Sequence, residues 1–578
     1  MLTQLTGHRK VRRFLVYDLE WIPGTYQLRL IGVYDGREYR SYTSIRSFIE
    51  NEMVSHNRGK WFYAHFGGGA DIQFVLEHLI GRNQYTIEGS FSGSSLIIAH
   101  VRRGKNVWHF VDSYWLLRES LAKIGKWIGL EKGASVAAYG KPFDELTEGE
   151  RKRWYTECSI EELRDYNERD CVLLWQAIDT MENAILQLGG QLQMTLASTA
   201  MHLFRRSYLK KDITTANAIN RIAKVAYFAS RVEVFEREVT DAFYYDVNSS
   251  FPYAMTFQAP ADACRALSRI PDNAGIYMAE ATVTVPDMYL PPLATRHTGR
   301  VFFPTGTWRS WFMSTDLELL ERVGGRIERV YECILFEPFD DLAAYAKSLY
   351  EKRRVSTDDF ERVAYKLLLN SLYGKFAEST LKTGLRINPL STTCPHTPPH
   401  PNNACIEMLM PGVFLVEDEV KVEHAHVPIS AHITAIARRT LYDYLQGSRP
   451  FHYCDTDGFC TKRGDLHTSD ELGKIKLERS VGEGYFIGPK LYRIDDKVKA
   501  KGFSRMSVDK FLRLRDSEEI EIERMARVKE LYRGGQTRPA DLLIKKRLRH
   551  KLLTKRFQYK DGSTRPWEIG EIQKRGTL

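Results

Sequence analysis

Several things are missing from this 578-residue chain, and each absence narrows what it can be. No apolar run approaches the length needed to cross a bilayer, so a membrane-spanning protein is not expected. Met1 to Lys10 is polar and basic and lacks the apolar centre of a secretory signal. Cysteine is sparse: eight residues are scattered without a framework spacing. Free thiols and a reducing, cytoplasmic setting follow. No internal repeat is present, and acidic residues are outnumbered, with 73 Asp and Glu against 83 Lys and Arg. The resulting charge of +10 and pI of about 9.0 admit a polyanionic partner. They also describe many ordinary basic proteins. What is present is 43% hydrophobic and 12% aromatic residues, enough for several folded domains with their own cores.

The most informative stretch is His452-Tyr453-Cys454-Asp455-Thr456-Asp457-Gly458. Two carboxylates stand two positions apart in an apolar, aromatic setting. If Phe451 to Cys460 forms a strand or tight hairpin, both side chains point to one side. Close, half-buried like charges are costly unless a cation neutralises them, and oxygen-only ligands suit Mg²⁺ or Mn²⁺. Alone, Asp-Thr-Asp-Gly fits an acidic turn equally well. A third carboxylate, Asp246, ends the apolar run Tyr244-Tyr245-Asp246 and precedes a turn and a helix from Tyr253 onward.

A second acidic set lies near the start. The strand pattern Arg13 to Tyr17 runs into Asp18-Leu19-Glu20. Trp61 to His65 predicts another strand, followed by Gly67-Gly68-Gly69 and by Asp71 at the head of an apolar helix pattern. A helix over Ile160 to Ile178 carries Tyr166 and Asp170 at i and i+4, on one face. Taken singly, these acids fit strand-end and helix caps or an exposed helix face. Together, four acids and a tyrosine can form a two-metal site for phosphodiester hydrolysis.

Further helices are expected over Leu196 to Lys210, Trp311 to Val323, Leu342 to Ala377 and Ile429 to Leu445. On the third, Arg362, Lys366 and Asn370 recur at i, i+4 and i+8, with Arg354 upstream. Such a cationic stripe suits a triphosphate, although most such stripes are solvated faces. Residues 386 to 430 look like a proline-rich extended loop. Within it, Cys394, His396, His400 and Cys405 are candidate zinc ligands without a common finger spacing. Met506 to Leu578 is expected to be basic and largely helical, with Lys545, Lys546, Arg547, Arg549, Lys551, Lys555 and Arg556 clustered. That cluster suits duplex phosphates, or an unliganded charged face.

The motifs, in this order, resemble those of family B DNA polymerases. Asp18-x-Glu20, Asp71 and Tyr166-x-x-x-Asp170 resemble the DEDDy 3′–5′ exonuclease set, with Tyr166 orienting the attacking water. Phe66 follows His65 where that family carries an Asn that helps bind the single-stranded primer end. Ser120-Leu121 resembles its strand-binding motif, and Lys141 is a candidate for an assisting lysine. Tyr227 to Arg231 resembles the Tyr-x-Gly-Gly-Arg linker, with Ala229 and Ser230 in place of the glycines. Asp246 to Pro252 resembles motif A, with Phe251 as the bulk that blocks a ribose 2′-OH. Lys366-x-x-x-Asn370-Ser371-x-Tyr373-Gly374 resembles motif B without a departure. Tyr453 to Asp457 resembles motif C, with Gly458 replacing a Ser, and Lys490-Leu491-Tyr492 resembles the primer-holding Lys-x-Tyr.

The resemblance implies a fold of α/β and α+β domains: an RNase H-like exonuclease followed by a palm, fingers and thumb. It implies the exonuclease at 1–190, a linker and first palm segment at 191–262, and an insertion at 263–340. Fingers at 341–385, a second insertion at 386–428, the rest of the palm at 429–500 and the thumb at 501–578 complete the division. Two Mg²⁺ or Mn²⁺ ions per site are implied, held by Asp246, Val247, Asp455 and Asp457 in one and by Asp18, Glu20 and Asp170 in the other. Val247, Phe251, Arg354, Arg362, Lys366, Asn370 and Tyr373 would bind the nucleotide. His65, Ser120, Leu121, Tyr227, Arg231, Gly374, Lys490 and Tyr492 would bind DNA. The compact layout is similar to the protein-primed branch of phages, viruses and linear plasmids. The implied partners are a DNA primer-template, deoxynucleoside triphosphates and a terminal protein, acting on a monomer in the host cytoplasm. A DNA-primed or primer-independent enzyme, or a nuclease with a degenerate polymerase half, are the alternatives.

Overall fold

The computed structural model describes residues 1–130, 132, 146–388, 391, 403–503, 506–517, 519–547 and 555–574. Two large sheets organise it. The first has ten strands, with Phe14–Ile22 and Trp61–Ala64 near its centre. Phe14–Ile22 pairs in parallel with Trp61–Ala64 and antiparallel with Gln27–Tyr34. Its apolar side chains are covered on both faces, so the strand shows no simple polar alternation.

The helix predicted over 160–178 runs on to Gln187. It starts at a reciprocal cap: Ser159 Oγ accepts from the Glu162 N–H, and Glu162 accepts from the Ser159 N–H. Leu163, Leu173, Leu174 and Ile178 lie on its buried face. That face packs on the two strands carrying Asp18 and Gly32, which brings Asp170 to the acids of the first strand.

The second sheet has seven strands and is antiparallel throughout. Its centre is Glu238–Val247, flanked by Ile475–Gly488 and Gly458–Thr461. Helix Val427–Gly447, slightly longer than predicted, begins with proline in its first turn and packs beneath the sheet-bearing half. A four-stranded sheet of Ala259–Leu267, Arg326–Phe339, Tyr277–Val285 and Gly306–Met313 fills the middle of the chain. Trp311 to Met313, expected as helix, end the last of these strands, and the helix is Ser314–Arg322.

The region expected as one long helix over 342–377 is broken. Asp341–Val355 and Asp359–Ser371 are separate helices, followed by a short turn of 3₁₀ helix at Tyr373–Ala377. Asp358 accepts from the Glu361 N–H, a start signal that interrupts the run. Phe204 of helix Leu196–Ser207 packs edge-on against Tyr345 and Phe376. One continuous core thus joins the first sheet to these helices.

Two other stretches depart from expectation. The described parts of 386–430 form no extended loop: Asn403–Met410 and Val413–Glu419 are a hairpin. With Leu381–Ile387 they extend the first sheet beyond Thr86–Ser92. Residues after 506 are not largely helical. Glu519–Met525 pairs with Asp541–Arg547 as a hairpin, and the described helices are Val508–Ser517, Val528–Arg533 and Ile569–Lys574. Alternating Glu519, Glu521 and Glu523 explain the hairpin, because period-two polarity suits a strand. The hairpin reaches back to the first sheet: Gln73 Nε2 donates to the Ala526 carbonyl at 2.9 Å, and Tyr26 bonds Asp541. Among the described residues no helix is long and apolar enough to cross a membrane.

Candidate active sites

Asp246 and Asp457 are brought together by strand register. Gly458 stands opposite Asp246 in the ladder, and the Val247 N–H donates to the Asp457 carbonyl at 2.9 Å. Thr456, at φ +69°, makes the tight turn between the paired strands. Glycine at 458 is required by its neighbour, since a Cβ there would lie 2.8 Å from the Tyr244 hydroxyl. Burial and the Asp246 and Asp455 charges push the Asp457 carboxyl up to about 7. Asp246 is raised as well, by burial and then Glu478, against Lys476 and Lys366.

Both acids line a cavity of about 570 Å³. Arg353, Arg362, Lys366 and Lys476 make it cationic, and Asn370 and Val247 also line it. Lys476 Nζ is 3.8 Å from Asp246. Arg353, which the sequence reading passed over, donates to Ser249 Oγ at 3.3 Å. Arg354 also lines the cavity but is tied to Glu351 at 2.7 Å, and Arg362 is paired with Asp359 at 3.2 Å. A spacing signal did exist for Arg353: it lies three positions after Tyr350, which faces the same cavity. Phe251 stacks on Tyr373 at 4.0 Å and 14°, an aromatic wall built from two motifs with Tyr373 near Asp457, although neither ring lines this cavity. The space in front of Gly374 is open.

Asp455 is placed differently from the sequence expectation. It is not among the residues that line the cavity with Asp457. It is buried and paired with Lys490 at 3.0 Å and Lys499 at 3.7 Å. Asp455 ends its strand while Asp457 sits in the turn, so the simple alternation rule does not carry across. Tyr492 lies beside it, stacked with Tyr244 and under Lys499.

Arg231 is also corrected. It is 2% exposed, donates to Glu233 at 2.6 Å and to the Pro291 carbonyl at 2.7 Å, and is therefore not a surface phosphate ligand. Its own carbonyl accepts from the Thr456 N–H, bracing the carboxylate turn. Tyr227 lies half-buried near Tyr373. Three described members of the C-terminal basic cluster are engaged within the protein. Lys545 pairs with Glu521, Arg547 with Glu519, and Arg556 is fully buried beside Glu233. Arg549 and Lys551 lie outside the described residues, as do Lys141, Cys394, His396 and His400. Cys405 packs against Phe414 and Val416.

The second acidic set assembles at the first sheet. Asp71 Oδ1 accepts from the Leu19 N–H at 3.0 Å, so the helix start is pinned to the strand between Asp18 and Glu20. Asn167 Nδ2 lies 3.0 Å from Asp18 Oδ2 and 3.2 Å from Glu20 Oε1. The Tyr155 hydroxyl donates to Glu20 Oε2 at 2.8 Å. Lys132 Nζ is 3.6 Å from Asp170 and 5.9 Å from the Tyr166 ring centre. Burial and the mutual repulsion of these acids raise Asp18, Glu20 and Asp71 above the ordinary carboxylate range. Burial also holds the Tyr166 phenol protonated. Sequence reasoning missed Tyr155, Asn167 and Lys132, and also Asp112. The last is raised to about 6 by burial and accepts from the Tyr114 N–H. Lys132 follows no local pattern that would have identified it.

His65 was expected to contact DNA. Instead its ring nitrogens are engaged inside the protein, with Ser113 Oγ at 3.0 Å and the Glu119 carbonyl at 2.8 Å. Burial lowers it to about 4, so it is neutral, and it anchors the segment leading to Ser120 and Leu121. Ser120 caps the following helix, Leu121–Trp127, and Leu121 is half-buried. Phe66 is 48% exposed, left-handed at φ +59°, and stacked on Tyr114 at 4.3 Å.

Among the described residues no three His, Cys, Asp or Glu side chains stand in ready metal-ligating geometry. The donors nevertheless fit hard divalent ions: they are oxygen atoms, buried, and destabilised by one another.

The family model for DNA polymerase type B, organellar and viral, matches residues 146–388. The chain is 24% identical over 529 residues to the DNA-directed DNA polymerase of Enterobacteria phage PRD1, covering 87% of each. The chain is thus similar to type B DNA polymerases in sequence. It is also 27% identical over 501 residues to a probable DNA polymerase of Ascobolus immersus, covering 76% of this chain. It spans less than half the length of that protein and of its Podospora anserina counterpart, 41% and 48%. Its fold is similar to phi29 DNA polymerase complexed with primer-template DNA and incoming nucleotide substrates. There the TM-score is 0.72 at 17% identity, over 93% of this chain and 100% of that one. The type B fold of an exonuclease domain followed by a palm, fingers and thumb is therefore present, and the family implies dependence on divalent metal.

Proposed function

We propose that the chain is a DNA-directed DNA polymerase with a 3′–5′ proofreading exonuclease, working by protein-primed, strand-displacing synthesis. The carrying observation is the cavity in which Asp246 and Asp457 face Arg353, Arg362 and Lys366. Carboxylates opposite phosphate-binding cations are what nucleotidyl transfer needs. Asp246, Asp457 and the Val247 carbonyl would hold two Mg²⁺ or Mn²⁺ ions. When bound, such ions acidify the attacking hydroxyl and neutralise the departing pyrophosphate. Arg353, Arg362 and Lys366 bind the triphosphate and fix its orientation. The Phe251–Tyr373 wall excludes a ribose 2′-OH by bulk. Lys490 and Lys499 hold Asp455 behind the turn that presents Asp457.

Asp18, Glu20 and Asp170 would hold the ions of the hydrolytic site, and the protonated Tyr166 orients a water by hydrogen bonding. Likeness to the two phage polymerases favours a terminal protein as primer. The seven described cysteines are free thiols, as fits a reducing host cytoplasm, where we place the reaction. Primer extension tests the central claim: the wild type extends and Asp457→Ala does not. Normal extension by Asp457→Ala sinks it. For priming, labelled nucleotide must become attached to a partner protein's hydroxyl. Extension from DNA primers alone would leave the DNA-primed alternative standing.

A further inference from the structure

The Tyr-x-x-x-Asp pattern leaves position 167 unspecified, yet the residue there bonds both acids of the first strand. Asn167 is fully buried. Its Nδ2 donates to Asp18 twice, to the backbone carbonyl at 3.2 Å and to Oδ2 at 3.0 Å, and to Glu20 Oε1 at 3.2 Å. The amide orientation is fixed from its other side. Oδ1 accepts from the Tyr39 hydroxyl at 2.9 Å and faces the Cys171 Sγ at 3.6 Å. The two amide hydrogens are thereby shared among the Asp18 carbonyl, Asp18 Oδ2 and Glu20 Oε1.

The fold keeps room for this arrangement. Gly32 lies opposite Asp18 in the strand ladder, and a Cβ at Gly32 would fall 1.6 Å from Asn167 Oδ1. Asn167 also sits on the same helix as Asp170, so its bonds tie the strand bearing two acids to the helix bearing the third. Its bond to the Asp18 backbone fixes the amide at the helix–strand interface while it also holds one oxygen of each acid, Asp18 Oδ2 and Glu20 Oε1.

We propose that Asn167, oriented by Tyr39, is a positioning residue that sets the spacing of Asp18 and Glu20 for a divalent ion. The proposal rests on the exonuclease reading. Partners that orient ligands from behind commonly govern metal affinity by about 10–100-fold. The test is carried out on the full chain. Asn167→Leu, similar in volume, should raise the Mg²⁺ concentration that half-saturates 3′ degradation by about tenfold or more. Its maximal rate at saturating Mg²⁺ should stay within about twofold of wild type, which a merely structural role would not produce. Tyr39→Phe should shift the midpoint in the same direction by less. In proteins that all carry Asp457→Ala, electron paramagnetic resonance of added Mn²⁺ should show a tight class of ion weakened by Asn167→Leu.

An unchanged Mg²⁺ midpoint, or a lower maximal rate at an unchanged midpoint, overturns the proposal. Primer extension by the single variants reports folding. If Asn167→Leu loses extension, Tyr39→Phe decides, and an unshifted midpoint in it is fatal. If the wild type degrades no 3′ ends, the exonuclease reading fails, and the Mn²⁺ comparison alone decides the role of Asn167.

Discussion

The two acidic sites solve one electrostatic problem in opposite ways. In the first sheet, Asp18, Glu20 and Asp71 are bonded by neutral donors from the protein, the Asn167 amide, the Tyr155 hydroxyl and the Leu19 N–H, and one cation, Lys132, stands at Asp170. At the second sheet, Asp246 and Asp457 open onto a cavity and are balanced across it by Lys and Arg. Enclosure fixes ligand geometry and suits a site that takes one kind of strand end. An open, cationic cavity suits a site that must admit and release a charged substrate in every cycle. Burial of like charges raises carboxylate pKa values in both.

The strongest way to break this comparison is to cripple each site alone. Asp457→Ala should lower extension by about a thousandfold or more and leave 3′ degradation intact. Asp18→Ala should do the reverse. Losses of this size follow from removing a group that stabilises transition-state charge. Loss of both activities in either variant would show that the sites are not separable. A finer cut separates neighbouring arginines. Arg353→Met should raise KM for deoxynucleotides about 10–100-fold, as expected for a lost charge-assisted contact of roughly 1.5–3 kcal/mol. Arg354→Met, whose guanidinium is held by Glu351, should change it by no more than about twofold. Equal effects would refute the assignment of Arg353 as the inward cation.

The smallest effect concerns pH. The Asp457 carboxyl is held at about 7, so below that value a proton competes with the ion for the same oxygens. The Mg²⁺ needed for half-maximal extension should rise by up to about tenfold per pH unit as pH falls below about 7, and level off above it. A midpoint independent of pH between 5.5 and 7 would contradict this.

Much of both sites was legible because their residues come as short strings with fixed chemistry. Asp246 and Asp457 could be named from strand endings, and the structure sets Asp246 on a strand beside the turn that carries Asp457. The divergence of Asp455 from Asp457 was not legible, because it depends on Thr456 taking a left-handed turn. Arg231 looked exposed beside small residues; its partner Glu233 is only two residues on, but the Pro291 carbonyl that completes its burial comes from a distant loop. Asn167 and Lys132 carried no signal, since their significance lies in what they reach across the fold. The C-terminal segment was taken for helices from its basic composition. The alternating acids on Glu519–Met525 gave a period-two cue that charge counting overlooked.

Strands 381–387, 403–410 and 413–419 come late in the chain yet complete the sheet built by its beginning. Cutting the molecule after residue 190 would strip Thr86–Ser92 of its neighbour along Ile87 to Ser90 and leave a bare ladder of backbone donors and acceptors. Such an excised fragment would tend to self-associate along that seam. A piece carrying the first acidic site would have to bring those later strands with it, so the two acidic sites are stitched together by backbone.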